Sequence, residues 1–176
     1  VFFCSSCLFK AKPWNAFAFY GLYQGYLRDL ILAFKFSNHL NLRAVFAWHL
    51  LSAFEYHLGT VIPDLIVPVP LHQRRLAERG FNQSLELAKL LGVKLGRRVA
   101  GQALKRPRYT PPQSRLMRQE RLLNLQGAIS ADKDLVQGKN ILLVDDIYTT
   151  GTTMEVCTQA LLEAGSCQVE VIVLAR

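Results

Sequence analysis

Two adjacent carboxylates, Asp145 and Asp146, follow the apolar run Ile141-Leu142-Leu143-Val144 and precede Ile147-Tyr148-Thr149-Thr150-Gly151-Thr152-Thr153. An uninterrupted β-branched and aliphatic run of this length reads as a strand buried on both faces. Beyond the acids, small hydroxyl residues form a loop around one glycine, leading into a helix. Backbone N–H groups of such a loop and of the helix N-terminus can surround a dianionic phosphate. Gly151 permits a positive φ and close approach of the backbone, and the hydroxyls of Thr149, Thr150, Thr152 and Thr153 donate further hydrogen bonds. Acids do not bind phosphate. Asp145 and Asp146 instead suit two vicinal hydroxyls of a sugar, each accepting one hydrogen bond. The combination points to a phosphorylated ribose at the carboxyl end of a strand, where open α/β sheets bind their ligands. A P-loop would need Gly-x-x-x-x-Gly-Lys-Ser/Thr, which is missing. The bland alternative is a capped helix flanked by two surface carboxylates.

The elements that must position these groups alternate in type. Leu27, Leu30, Ile31 and Phe34 fall at helical spacing over 26–36, and 42–58 gives a second helix. A strand is expected over 65–69. Asn82 caps a helix over 84–91 that Gly92 ends. Residues 93–125 are polar and basic, broken by Pro107, Pro111 and Pro112, with a short strand near Ala103-Leu104 and then a long loop or hairpin. A strand is expected over 127–130. The helix after the Thr/Gly run carries Cys157, Ala160, Leu161 and Ala164 on one stripe and stops at Gly165, and 169–174 is the last strand. Helices alternating with apolar strands imply an α/β fold with a mostly parallel sheet flanked by helices. We expect this domain over 21–176. Residues 1–20, with a cysteine pair, Trp14 and several Phe, are expected to be a short irregular appendage.

Charge is unevenly placed. Of the formal +8, residues 74–121 carry 13 basic side chains against three acids, so the positive excess lies mid-chain. That field favours an anionic partner, either a phosphorylated small molecule or nucleic acid; a basic face that holds no ligand is the alternative. With 51% hydrophobic and 19% charged residues the chain can bury a core and is not disordered. No apolar run reaches the roughly 18 residues that span a bilayer. We read no signal peptide, although the sequence opens on Val1. Four cysteines without a framework fit a reducing cytoplasm.

The stretch 144–153 resembles the 5-phosphoribosyl-1-pyrophosphate (PRPP) signature of type I phosphoribosyltransferases. The resemblance extends over nearly the whole chain to the ComF family, through Tyr23-x-Gly25 with 30–36, Val67-Pro68-Val69-Pro70-Leu71-His72, Arg79-Gly80-Phe81-Asn82-Gln83, and Gln113, Arg121 and Asn124. That family includes competence proteins required for DNA uptake and proteins described as amidophosphoribosyltransferase-like. It implies Mg²⁺-dependent transfer of a 5-phosphoribosyl group with release of pyrophosphate. Asp145 and Asp146 would hold the ribose, the 149–153 loop the 5′-phosphate. The family places its pyrophosphate loop near Pro70 to Arg75. Charge builds on a leaving pyrophosphate, so Arg74 and Arg79, and with less weight Arg75, suit it. Pro68 and Pro70 could simply end a strand, and His72 reads more readily as a local hydrogen-bonding residue than as a base. Residues 106–121 fall where the family has a flexible hood. Lys105, Gln113, Arg115 and Arg121 are its candidates to touch pyrophosphate or acceptor; a basic loop without contacts is the alternative.

ComF proteins usually begin with a Cys4 zinc module. Cys4-x-x-Cys7 has zinc-ligand spacing but supplies two of four ligands, so no ordered metal is expected unless upstream residues or a second chain complete it. His39, His49 and His57 sit in apolar helical surroundings and are read as structural. The competing function is a PRPP-sensing or non-catalytic protein that binds single-stranded DNA, with Phe81 and Tyr109 as a thin stacking platform. Acceptor and oligomeric state, a dimer included, stay open.

Overall fold

The computed structural model of the chain describes residues 12–36, 41–108 and 127–176. In chain order they form strand β1 (Ala16–Gly21), helices α1 (Gly25–Phe36) and α2 (Leu42–Leu58), strand β2 (Leu65–Pro68), helices α3 (Gln73–Arg79) and α4 (Gln83–Leu95), and strands β3 (Arg98–Val99), β4 (Leu104–Lys105) and β5 (Ser130–Ala131). Helix α5 (Lys133–Val136), strand β6 (Asn140–Ile147), helix α6 (Thr152–Glu163) and strand β7 (Gln168–Ala175) complete them. The main sheet has the order β1-β7-β6-β2-β3, and every pairing in it is parallel. β4 and β5 make a separate antiparallel ribbon.

β6 lies at the centre because it is apolar on both faces. Leu142 and Val144 face one way, with Ile172 and Leu174 of β7, and pack under Ile31 and Phe34 of α1, Phe46 and Leu50 of α2, and Leu87 and Leu91 of α4. Ile141 and Leu143 face the other way, with Val171 and Val173, against Met154, Cys157 and Leu161 of α6. This alternation is the period of two of a pleated strand. Each fully buried aliphatic side chain contributes about 2 kcal/mol. The strand therefore cannot slip by one residue without turning both cores inside out.

Several boundaries depart from the sequence reading. Residues expected at the end of an irregular appendage form β1, with Ala18 paired to Ile172 and Gly21 to Ala175. The sheet thus begins inside 1–20, because the alternation Ala-Phe-Ala-Phe offers large side chains to one face and small ones to the other. Helix α4 does not end at Gly92. It runs to Leu95 and is closed by Gly96 at φ +62°. Gly92 is glycine because a Cβ there would lie 2.9 Å from the Arg97 carbonyl oxygen. Helix α3 has no apolar period to announce it; His72 caps its start and Gly80, at φ +80°, its end. Among the described residues no helix is long and apolar enough to cross a membrane.

Candidate functional site

The carboxyl ends of β2 and β6 open into a cleft of about 260 Å³. β6 continues three residues past the expected Val144, so Asp145 and Asp146 are still strand, with Asp145 in register with Val173. Successive strand residues point to opposite faces, yet both acids line the cleft because it caps the strand end. Ser84 Oγ donates to Asp145 Oδ1 at 2.6 Å. Lys35 Nζ lies 3.0 Å from Asp146 Oδ2, and both of those side chains are nearly covered. Burial first, and then the charge of Asp146, pushes Asp145 up to about 7, against Ser84 and Lys35, which pull it down.

Asn82 sets Ser84 in place. Its Oδ1 accepts from the backbone N–H groups of Ser84 and Leu85, while its Nδ2 donates to the Val69 carbonyl at 3.0 Å. One side chain thus caps α4 and ties it to the chain that leaves β2. Loop 149–153 leads from β6 into α6. Gly151 is left-handed at φ +79° and is the N-cap of α6. Thr150 and Thr152 hydroxyls lie 3.1 Å apart. Thr149 and Thr153 line the main cleft, and residues 147–154 surround a second hollow of about 20 Å³.

The cleft also carries cations. Arg75, Arg79 and Arg106 all line it. Arg75 Nη2 is buried and has no hydrogen-bond partner among the described residues. Burial first, and then the Arg75 charge, disfavours the charged forms of Arg79 and Arg106, with Asp146 opposing this at Arg79 and Asp145 at both. Arg79 is held by Gln83 Oε1 at 3.2 Å and by the Phe36 ring at 5.1 Å. Arginines held partly out of water beside a like charge favour a further anion in the cleft.

Residues 76–176 match the model of the phosphoribosyl transferase domain. Over 176 residues the chain is 36% identical to the DNA utilization protein YhgH of Escherichia coli K12, covering 98% of this chain and 77% of that protein. It is 32% identical to competence protein F of Haemophilus influenzae, covering 98% and 78%. With competence protein ComFC of Bacillus subtilis it shares 31% over 153 residues, covering 81% and 56%. The chain belongs to the ComF family of phosphoribosyl transferase domain proteins.

Not every candidate residue reaches this ComF cleft. Arg74 lies on the exposed side of α3, 3.3 Å from Glu78, and does not line the cleft; Arg75, given less weight, does. A helix turns about 100° per residue, so neighbours in α3 cannot both face the site. Pro70 lines it. His72 Nδ1 instead accepts the Arg74 N–H at 3.1 Å as a cap, and Lys105 pairs with Asp132 at 3.5 Å. Gln113, Arg115, Arg121, Tyr109, His39, Cys4 and Cys7 lie outside the described residues. Phe81 packs on Phe34 at 5.5 Å and against the core, so it is no stacking platform. His49 stacks on Tyr20 at 3.9 Å; burial lowers its pKa. His57 packs against Phe19 at 6.1 Å. Cys157 is a buried thiol whose pKa burial pushes up, hence inert.

Lys35, Ser84 and Arg106 join the site without standing out as candidates in the sequence. Lys35 carries a usable signal, as the one charge in the otherwise apolar run Leu30 to Phe36 that ends its helix. Ser84 carries a weaker one, as a hydroxyl two residues after a helix cap.

Proposed function

We propose that the cleft binds PRPP and catalyses Mg²⁺-dependent transfer of its 5-phosphoribosyl group to an acceptor, releasing pyrophosphate. The observation that carries this reading is the shared cleft: Asp145 and Asp146 line it together with Thr149 and Thr153 of the loop and with Arg75, Arg79 and Arg106. A ribose 5-phosphate bearing pyrophosphate at C1 matches that set of groups. The phosphate takes the loop amides and Thr hydroxyls, the two sugar hydroxyls the acids, and the pyrophosphate the arginines. As the C1–O bond lengthens, negative charge grows on the departing pyrophosphate and positive charge on the sugar. Fixed guanidiniums near the one and carboxylates near the other stabilise both.

Mg²⁺ suits the donor set, which offers hard carboxylate oxygens. Among the described residues no group of three His, Cys, Asp or Glu could hold a metal by itself; Asp145 and Asp146 are the carboxylates of the cleft that would hold it together with the substrate. Bound there, the ion would neutralise part of the charge on the leaving group. The test is to incubate the protein with PRPP, Mg²⁺ and a panel of nucleobases and ammonia, and to measure pyrophosphate. Turnover abolished in Asp145→Asn/Asp146→Asn supports the enzyme; no release with any acceptor counts against it.

The names of its relatives support a second reading, in which the protein binds PRPP without turnover and serves DNA uptake or use. Single-stranded DNA would then be held through phosphates by the mid-chain basic residues. Steep weakening of DNA binding with added salt is the result that favours it.

A further inference from the structure

The phosphate loop is not held by its own residues alone. Tyr148, the first residue after β6, lays its ring between the loop and β1. It lies 4.8 Å from the Phe17 ring and edge-on to Trp14 at 6.1 Å. Its phenol end reaches beneath Gly151, where a Cβ would lie 2.6 Å from Tyr148 Cζ. The left-handed turn of Gly151 therefore rests on a ring whose position is fixed by a residue near the start of the chain. A second tie runs in parallel. Lys12 forms an ion pair with Glu155, and both side chains are about nine-tenths covered. Glu155 lies in the first turn of α6, and its N–H donates to the Gly151 carbonyl at 2.8 Å. Lys12 also sits 5.5 Å from the Trp14 ring. Asn15 anchors this strap to β7 by a reciprocal pair, its N–H to the Val169 carbonyl and its Oδ1 from the Val169 N–H.

We propose that Lys12 and Trp14 are positioning residues for the 5′-phosphate: Trp14 shapes the loop through Tyr148, and Lys12 cancels the charge of Glu155 beside it. The inference rests on the PRPP reading of the cleft. A carboxylate in the first turn of a helix is favourable in a protein without ligand. It turns unfavourable when a dianion arrives at the same helix end, because like charges then gather in one helix turn. Lys12 removes that conflict. Neither strap residue lines the main cleft, so neither touches the pyrophosphate side.

This asymmetry supplies the test. Ribose 5-phosphate and inorganic pyrophosphate with Mg²⁺ are each titrated calorimetrically into the full chain, Lys12→Gln, Trp14→Phe and Lys12→Gln/Glu155→Gln. Lys12→Gln should weaken ribose 5-phosphate about fivefold to tenfold, the scale of one charge at a helix terminus, and leave pyrophosphate unchanged. The double variant should recover ribose 5-phosphate affinity, which loss of packing alone would not allow. In Trp48→Phe the sole remaining tryptophan is Trp14; its emission should shift with ribose 5-phosphate and stay constant with pyrophosphate. Equal loss of both ligands in Lys12→Gln, no loss of either, or no recovery in the double variant overturns the inference. A wild-type chain that binds no ribose 5-phosphate defeats instead the reading of the cleft on which it rests.

Discussion

Lys35 Nζ sits 3.0 Å from Asp146 Oδ2, in a contact between the last turn of α1 and the carboxyl end of β6 that is nearly closed to water. It places one cation beside two adjoining acids and permits both to enter the same cleft. Removing one member of a covered pair leaves the other charge uncompensated, which costs far more than the pair itself contributes. Lys35→Met should therefore destabilise the chain by about 3 kcal/mol near neutral pH. The loss should shrink in acid, where protonation of Asp145, raised to about 7, relieves the repulsion between the two acids. Urea denaturation at about pH 8 and about pH 5 measures both; equal losses at the two pH values would contradict the account.

Asp145 gives a pH dependence of defined sign. Its pKa in the fold is raised from 3.8 to about 7, chiefly by burial and then by Asp146. Between these values the folded chain holds a proton that the unfolded chain has released. Stability from this group is fully present below the lower value, falls as pH rises through the window and levels off above about 7. Asp145→Asn should flatten that slope. Accepting a ribose hydroxyl favours the ionised form, so PRPP affinity should run the opposite way, weakening by up to about tenfold per pH unit below about 7. Calorimetry in buffers of different ionisation enthalpy should detect the proton released on binding.

The features visible in the sequence are those written in neighbouring residues. The double-sided apolar pattern of β6 is local, and so is the order of strand, acid pair and hydroxyl loop. Helix α2 is likewise bounded where its pattern begins and stops. The features that escape depend on contacts between distant segments. Lys35 meets Asp146, and Ser84 meets Asp145, only once the helices have packed on the sheet. Arg75 and Arg74 differ by one residue, and without the direction of α3 nothing in the sequence separates the inward from the outward one. Gly92 reads as a helix stop because its chemistry is that of a stop. Its reason is the close approach of the chain at Arg97 and Val99.

Gly151 should tolerate no side chain. Its φ of +79° costs an L-residue about 1–2 kcal/mol, and a methyl group would strike the Tyr148 ring at Cζ, 2.6 Å away. Gly151→Ala is expected to lower Tm by several degrees and to abolish detectable ribose 5-phosphate binding while the circular dichroism spectrum stays folded. Pairing it with Tyr148→Ala frees the space but not the φ, so the double variant should regain part of the stability. A double variant no more stable than Gly151→Ala would show that the ring is not the obstacle.

Arg75 and Arg74 make the sharpest contrast, because adjacent residues of one type should respond in opposite ways. Arg75 lines the cleft with its Nη2 buried and without a hydrogen-bond partner among the described residues, within reach of the like charges of Arg79 and Arg106. In the free protein that cluster is repulsive, so Arg75→Ala should leave stability unchanged or slightly raised. With pyrophosphate bound the same guanidinium would make charge-assisted hydrogen bonds worth about 1.5–3 kcal/mol. Its loss should weaken pyrophosphate and PRPP roughly 10- to 150-fold. Arg74→Ala removes an exposed pair with Glu78, worth under about 1 kcal/mol, and should leave both affinities where they were. Titration of the two variants with pyrophosphate and Mg²⁺, alongside thermal unfolding without ligand, decides the matter. If Arg74→Ala loses affinity and Arg75→Ala does not, the cationic wall binds something other than the leaving group proposed for it.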